Sequence, residues 1–130
     1  MGPAEVLKSI KIPQKMDQTG MAFLKVGRVV QDLAIVNAAA LLVMDQKICR
    51  KCRLAVGAVA PVPLRLNSVE KMIEGEEIGP ELLDRAGELA EQEVSPITDV
   101  RSTEAYRRSL SGVLVKRAIA QAVEELTTDY

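Results

Sequence analysis

The apolar residues change their period near residue 61, and that change leaves the chain few architectures. Up to "PVPLRL" (61–66) they fall in short β-type runs, and beyond it they recur at helical spacing. Strands first and helices afterwards predict an α+β fold, not an alternating α/β one. With 130 residues, 48% of them hydrophobic, the chain can enclose one core of its own.

In the first half, "EVLKSIKIP" (5–13) places Val6, Ile10 and Ile12 at β-type positions, and Pro13 stops the strand. "QKMDQTG" reads as a polar loop. "MAFLKVGRVV" (21–30) predicts a strand, with Gly27 as a bulge. "DLAIVNAAALLVMD" (32–45) is ambiguous because its alanines favour helix. The hairpin signal "DQK" that follows makes it a strand. "ICRKCRLAVGAVA" (48–60) alternates. Ile48, Cys52, Leu54, Val56 and Ala58 share one face, and Cys49, Lys51 and Arg53 share the other.

Three helices are expected in the second half. "NSVEKMIEG" (67–75) opens on an Asn or Ser cap and closes at glycine. In "GPELLDRAGELAEQEV" (79–94), Pro80 suits a first turn, and Leu82, Leu83, Ala86, Leu89 and Ala90 follow at helical spacing until Pro96 ends the run. "STEAYRRSLSGVLVKRAIAQAVEEL" (102–126) is the longest, capped by Ser102 or Thr103 with Glu104 in the first turn. Its apolar stripe runs from Tyr106 through Leu110, Val113 and Leu114 to Ala118 and Ala122. Val115, Ile119 and Val123 widen it.

Composition narrows the function classes. A net charge of −1 provides no bulk attraction to nucleic acid or membrane surfaces. One Phe, two Tyr and no Trp leave little to stack on bases or flat ligands. The absence of histidine removes the commonest general base and metal ligand. "MGPAEVLKSI" has no signal-peptide pattern, "LAIVNAAALLVM" is too short to cross a bilayer, and two cysteines without a secretory signal point to a reducing cytoplasm.

Few motifs suggest chemistry, and no catalytic residue stands out. "CRKC" (49–52) is a candidate redox pair or half of a thiolate metal site that a dimer would complete. Such a redox pair is favoured at a helix N-terminus, and zinc usually takes four ligands. On a strand, the simpler reading makes Cys52 a core residue and Cys49 a surface thiol. Glu76, Glu77, Glu81 and Asp84 read as a solvated helix start. "GEEIG" and "SGV" match no phosphate loop, and "YRR" with Lys116 and Arg117 can form a basic strip. "DVR" is different. Asp99 and Arg101, just ahead of the last helix, read as a packing clamp.

"PITDVRSTEAYRRSLSGVLVKRAI" resembles the closing motif of the flavin-binding subunit of molybdenum hydroxylases, the xanthine dehydrogenase and aerobic carbon monoxide dehydrogenase family. Asp99, Arg101, Tyr106 and Arg107 carry its Asp-x-Arg and Tyr-Arg elements. "LAVGAVAPVPLR" (54–65), and "FLKVGR" with "DLAIVNAAA" (23–40), are similar to the family's earlier strands. "EVLKSIKIP" resembles the last strand of the preceding flavin domain, so the resemblance runs from residue 5 to about 124. It implies an antiparallel meander of three or four strands followed by three helices packed on the sheet. It also implies that residues 1–20 are a remnant strand and linker and that 21–130 form the subunit's C-terminal domain.

Family flavin is held mainly by two upstream subdomains with glycine-rich loops, which this sequence lacks. The resemblance therefore implies a domain that binds no cofactor alone and supports a flavoprotein whose complex contains FAD. The implied partners are an FAD-binding domain or subunit, an iron–sulfur subunit and a molybdopterin subunit. Lys25 matches a family lysine that approaches the flavin; its simpler reading is a surface lysine at a strand end. A homodimer paired through the edge of the strand at 5–12 is a second expectation, and a cysteine-based metal or redox protein a third.

Overall fold

The computed structural model describes residues 2–12, 14 and 17–127. Four strands form one antiparallel sheet in the order β1-β2-β3-β4: β1 Thr19–Val26, β2 Val36–Asp45, β3 Ile48–Gly57 and β4 Leu64–Arg65. Three helices follow: α1 Asn67–Ile73, α2 Pro80–Glu93 and α3 Glu104–Thr127. This is the α+β meander with three helices expected from the change of period.

The alanine-rich segment is the central strand. In β2, Val36, Ala38, Ala40, Leu42 and Met44 are buried and the residues between them are not. Strict alternation outweighs the helix preference of alanine here. The small side chains let α3 lie close on β1 and β2, and Val115, Ala118, Ile119 and Ala122 of that helix complete the core. The approach is closest at Gly20, where an added Cβ would sit 1.8 Å from the carbonyl oxygen of Ala122. No side chain fits between that strand and that helix. Helix α2 packs on α3 and α1, and α1 on β3.

Several boundaries differ from expectation. Residues 5–12 form no strand, and Val6 and Ile12 are both 89% exposed. An apolar strand with no neighbour to pair has nothing to hold it extended. Pro13, expected to stop it, and Lys15 and Met16 of the polar loop lie outside the described residues. β1 stops at Val26, so Gly27 lies in a loop and is not a bulge.

The bulge is in β3. Val43 pairs with Lys51 and Met44 with Cys49, leaving Arg50 as an extra residue. One extra residue reverses the side-chain alternation, so Cys49 points inward together with Cys52, Leu54 and Val56, all essentially fully buried. The surface thiol expected at position 49 is therefore a core residue. Ala58, expected on the inner face, lies beyond the strand end with φ 65° and is exposed.

The helix ends also differ. The N-cap of α1 is Leu66, not Asn67 or Ser68, and makes no side-chain cap. The Ser68 amide instead donates to Glu93 Oε1 of α2 at 3.0 Å. On α3, Thr103 Oγ1 accepts the Tyr106 amide at 3.2 Å, and Thr98 Oγ1 accepts the Glu104 amide at 2.9 Å. Tyr106 is 52% exposed and does not begin the buried stripe. That stripe runs through Arg107, Ser111, Leu114, Val115, Ala118, Ile119 and Ala122, the i, i+4, i+7 spacing of one helix face. Among the described residues, no helix is long and apolar enough to cross a membrane.

Candidate functional site

Arg107 leaves the first turn of α3 and reaches under three loops at one end of the sheet. Its Nη1 donates to Ile35 O (3.0 Å), at the end of the loop after β1, and to Ala58 O (2.9 Å), just past β3. Its Nη2 donates to Asp99 Oδ1 at 2.7 Å, in the loop between α2 and α3. The residue is buried, and its Nε–H has no partner. Arginine suits this task because one planar group can serve several acceptors at fixed angles.

Asp99 is built to receive it. The same Oδ1 also accepts the amides of Arg101 (2.8 Å) and Ser102 (3.1 Å), and the Asp99 amide donates to Ser102 O. The Arg101 amide, then the Arg107 guanidinium, hold the Asp99 carboxyl below the usual aspartate range. The Arg101 side chain contributes less, with its Nη1 3.5 Å from Asp99 Oδ2 and partly in solvent. The partner in the clamp is thus Arg107, eight residues along the chain, more than Arg101. Of the four motif residues, Asp99, Arg101 and Arg107 are brought together, and Tyr106 points away.

Lys25 lies at the neighbouring strand end. Its Nζ donates to Val30 O and Asp32 O, both at 3.0 Å, and so folds the loop after β1 back on itself. Arg28 Nε meets Asp32 Oδ2 at 2.9 Å. That contact, followed by the Leu33 amide, depresses the Asp32 carboxyl. The lysine amine is therefore engaged by its own loop in this conformation.

The residues that could form a basic strip are separated: Arg107 is buried in the clamp, Arg108 and Lys116 make contacts with α2, and Arg117 is exposed. Arg108 donates to Glu91 O (2.8 Å) and Val94 O (2.7 Å), closing the C-terminal end of α2, and Lys116 pairs with Asp84 at 2.8 Å. Near Cys49 and Cys52, the carboxylates of Glu70 in α1 and Glu74 at its C-cap cover the open edge of β3. Glu70 accepts the Leu54 amide (2.8 Å) and both Arg65 contacts (2.7 and 2.6 Å), while Glu74 accepts the Cys52 amide and Arg53, each at 3.0 Å. Burial pushes Glu70 up, but Arg65 and the Leu54 amide more than offset this, and the carboxyl stays depressed.

The hydrogen bond between the two thiols draws Cys49 down against the effect of its burial, while the same bond and burial together push Cys52 far up. Among the described residues, no three His, Cys, Asp or Glu side chains gather as a metal site. The roles of Glu70 and Glu74 escaped sequence reading. The spacing of Glu70 between buried Val69 and Ile73 was the one available signal.

A family model described as the CO dehydrogenase flavoprotein C-terminal domain matches residues 21–122. The carbon monoxide dehydrogenase medium chain of Afipia carboxidovorans is 32% identical over 120 residues, 92% of this chain and 42% of that one. The xanthine dehydrogenase FAD-binding subunit of Escherichia coli O157:H7 is 28% identical over 112 residues, 85% of this chain and 38% of that subunit. A solved carbon monoxide dehydrogenase from Hydrogenophaga pseudoflava superposes with a TM-score of 0.85 at 27% identity, covering 88% of this chain and 40% of that one. The chain thus spans about two fifths of the length of these relatives.

Proposed function

Because this chain belongs to the CO dehydrogenase flavoprotein C-terminal domain family, we propose that it stabilises a molybdenum-hydroxylase flavoprotein and helps it dock, without catalysing by itself. The observation that carries this reading is the Arg107 clamp, which fixes three loops into one surface. In the cleft those loops form, the ionisable side chains Asp99, Arg101 and Arg107 are engaged with one another and with backbone groups. Rigid positioning of a surface is what an assembly element needs.

On this reading the parent flavoprotein would hold FAD, and partner subunits would carry the iron–sulfur clusters and the molybdenum cofactor. The residues of this chain do not suit an FAD cradle. The α1 N-terminus is already taken by Glu93, and the Lys25 amine by two carbonyls of its own loop. Val6, Ile10 and Ile12, exposed on residues 5–12, support assigning that segment to a preceding flavin domain, but the boundary falls before Thr19 and not at residue 20, because Thr19 and Gly20 are already part of β1.

Tagging the chain in its native host and purifying it tests the reading. It predicts recovery of an FAD-containing polypeptide together with iron–sulfur and molybdopterin subunits. Recovery of the chain free of all three overturns it. A second reading, self-association, cannot use the edge expected at 5–12, where no strand forms, and draws instead on the exposed Met21 and Phe23 beside the outer edge of β1. A strictly monomeric species in light scattering at high concentration removes it.

A further inference from the structure

β1 is an outer strand of the sheet, paired with β2 alone. Its Met21 amide is turned away from β2 and donates to Glu125 of α3. Antiparallel pairing alternates, so the Phe23 and Lys25 amides point to the same side, where no strand lies. Such an edge can take a further strand. Met21 and Phe23 are exposed beside it.

The chain carries a segment of matching length. β1 has eight residues, and so does 5–12, every one of them exposed. No proline interrupts the segment, and Pro13 comes directly after it, where a strand can end. The six residues 13–18 lie within the common span of a connection between neighbouring elements.

Folded back antiparallel, residues 5–12 meet β1 in one register that uses both completely. Ile12 falls opposite Thr19, Ile10 opposite Met21, Lys8 opposite Phe23 and Val6 opposite Lys25. Residues directly opposite share a face. Val6, Ile10 and Ile12 thus join Met21 and Phe23 on the open face, with the Lys8 ammonium beside the Phe23 ring. Leu7 joins Leu24 on the inner face. Lys11 comes opposite Gly20, next to the Glu125 carboxylate. A slip of one residue exchanges the faces and loses these neighbours.

We infer that residues 5–12 are a strap that closes on the edge of β1 within the same chain, and that the structure shows it open. On closing, Ile10 O takes over the Met21 amide and Glu125 turns to Lys11. The closed strap occupies the edge that a second copy would otherwise use. The inference concerns the chain without partners and stands apart from the proposed function.

NMR of the full chain tests it. Short Hα–Hα contacts are expected between Ser9 and Ala22 and between Lys11 and Gly20, the closely spaced pairs of this register. Exchange of the Phe23 amide is expected to be at least about tenfold slower than in Ile10→Pro, which removes a strap donor without touching the core. Absence of both contacts, or a Phe23 amide that exchanges at the same rate in the two proteins, overturns the inference. Protection that rises with protein concentration also overturns it, since the strand then comes from another copy. None of these results bears on the recovery of FAD from the native host, which judges the proposed function separately.

Discussion

Arg107 Nη2 meets Asp99 Oδ1 at 2.7 Å, joining the first turn of α3 to the loop that precedes it. The same guanidinium holds the carbonyls of Ile35 and Ala58, far away in sequence. One side chain thus closes the end of the sheet, and its removal takes a donor from the Ile35 and Ala58 carbonyls and the counter-charge from Asp99.

Arg107→Met is expected to cost about 3–5 kcal/mol of stability, because breaking a buried pair leaves its partners unsatisfied. Arg101→Ala, removing an exposed guanidinium 3.5 Å from the same carboxylate, is expected to change stability by less than about 1 kcal/mol. Urea denaturation of the three proteins checks the contrast. Equal effects would assign the clamp to the wrong arginine.

Stability is expected to fall in mild acid. Asp99, Asp32 and Glu70 all have depressed carboxyls in the folded protein. A group with a lowered folded pKa contributes stability that is fully present above its unfolded value and lost as pH falls through its folded one. The decline therefore starts near the ordinary Glu value of 4.5 and continues below the Asp value of 3.8. Thermal melts from pH 7 to 3 measure it, and Asp99→Asn is expected to flatten the lower part of the curve.

Gly20→Ala is expected to destabilise by about 3 kcal/mol or more, since the new methyl collides with the backbone of α3 and no rotamer relieves it. Gly79→Ala, where the added carbon meets nothing within 4 Å, is the control. It is expected to stay within about 1 kcal/mol of the unaltered protein.

Neither Cys49 nor Cys52 is expected to react quickly with a thiol reagent in the native state, because both are buried. Titration should find no fast thiol before denaturant and two after it. A fast-reacting native thiol, or bound zinc or iron, would revive a redox or metal role.

The order of strands and helices was legible because a turn signal marks the end of β2, a period of 2 survives in β3 beyond its bulge, and a period of 3.6 survives in the stripes of α2 and α3. The parity of β3 was not, since a bulge at Arg50 leaves no mark in composition yet turns Cys49 inward. The strand expected at 5–13 failed for a different reason: apolar spacing signals capacity for pairing but not the presence of a partner. The clamp was half legible. A proline, an Asp and several arginines before a helix announced an ion pair, but which arginine turns inward depends on where the helix begins. With Glu104 as the first residue of α3, Arg107 falls in line with Ser111, Leu114 and Ala118, and Arg101 is left outside.

The central claim is that this fold provides a rigid docking element and not a flavin cradle of its own. The visible absorption spectrum of the purified chain, taken after incubation with excess FAD and gel filtration, tests it most directly. The account predicts a colourless protein without flavin absorption. A yellow protein retaining FAD at one per chain, with no companion polypeptide, would contradict it.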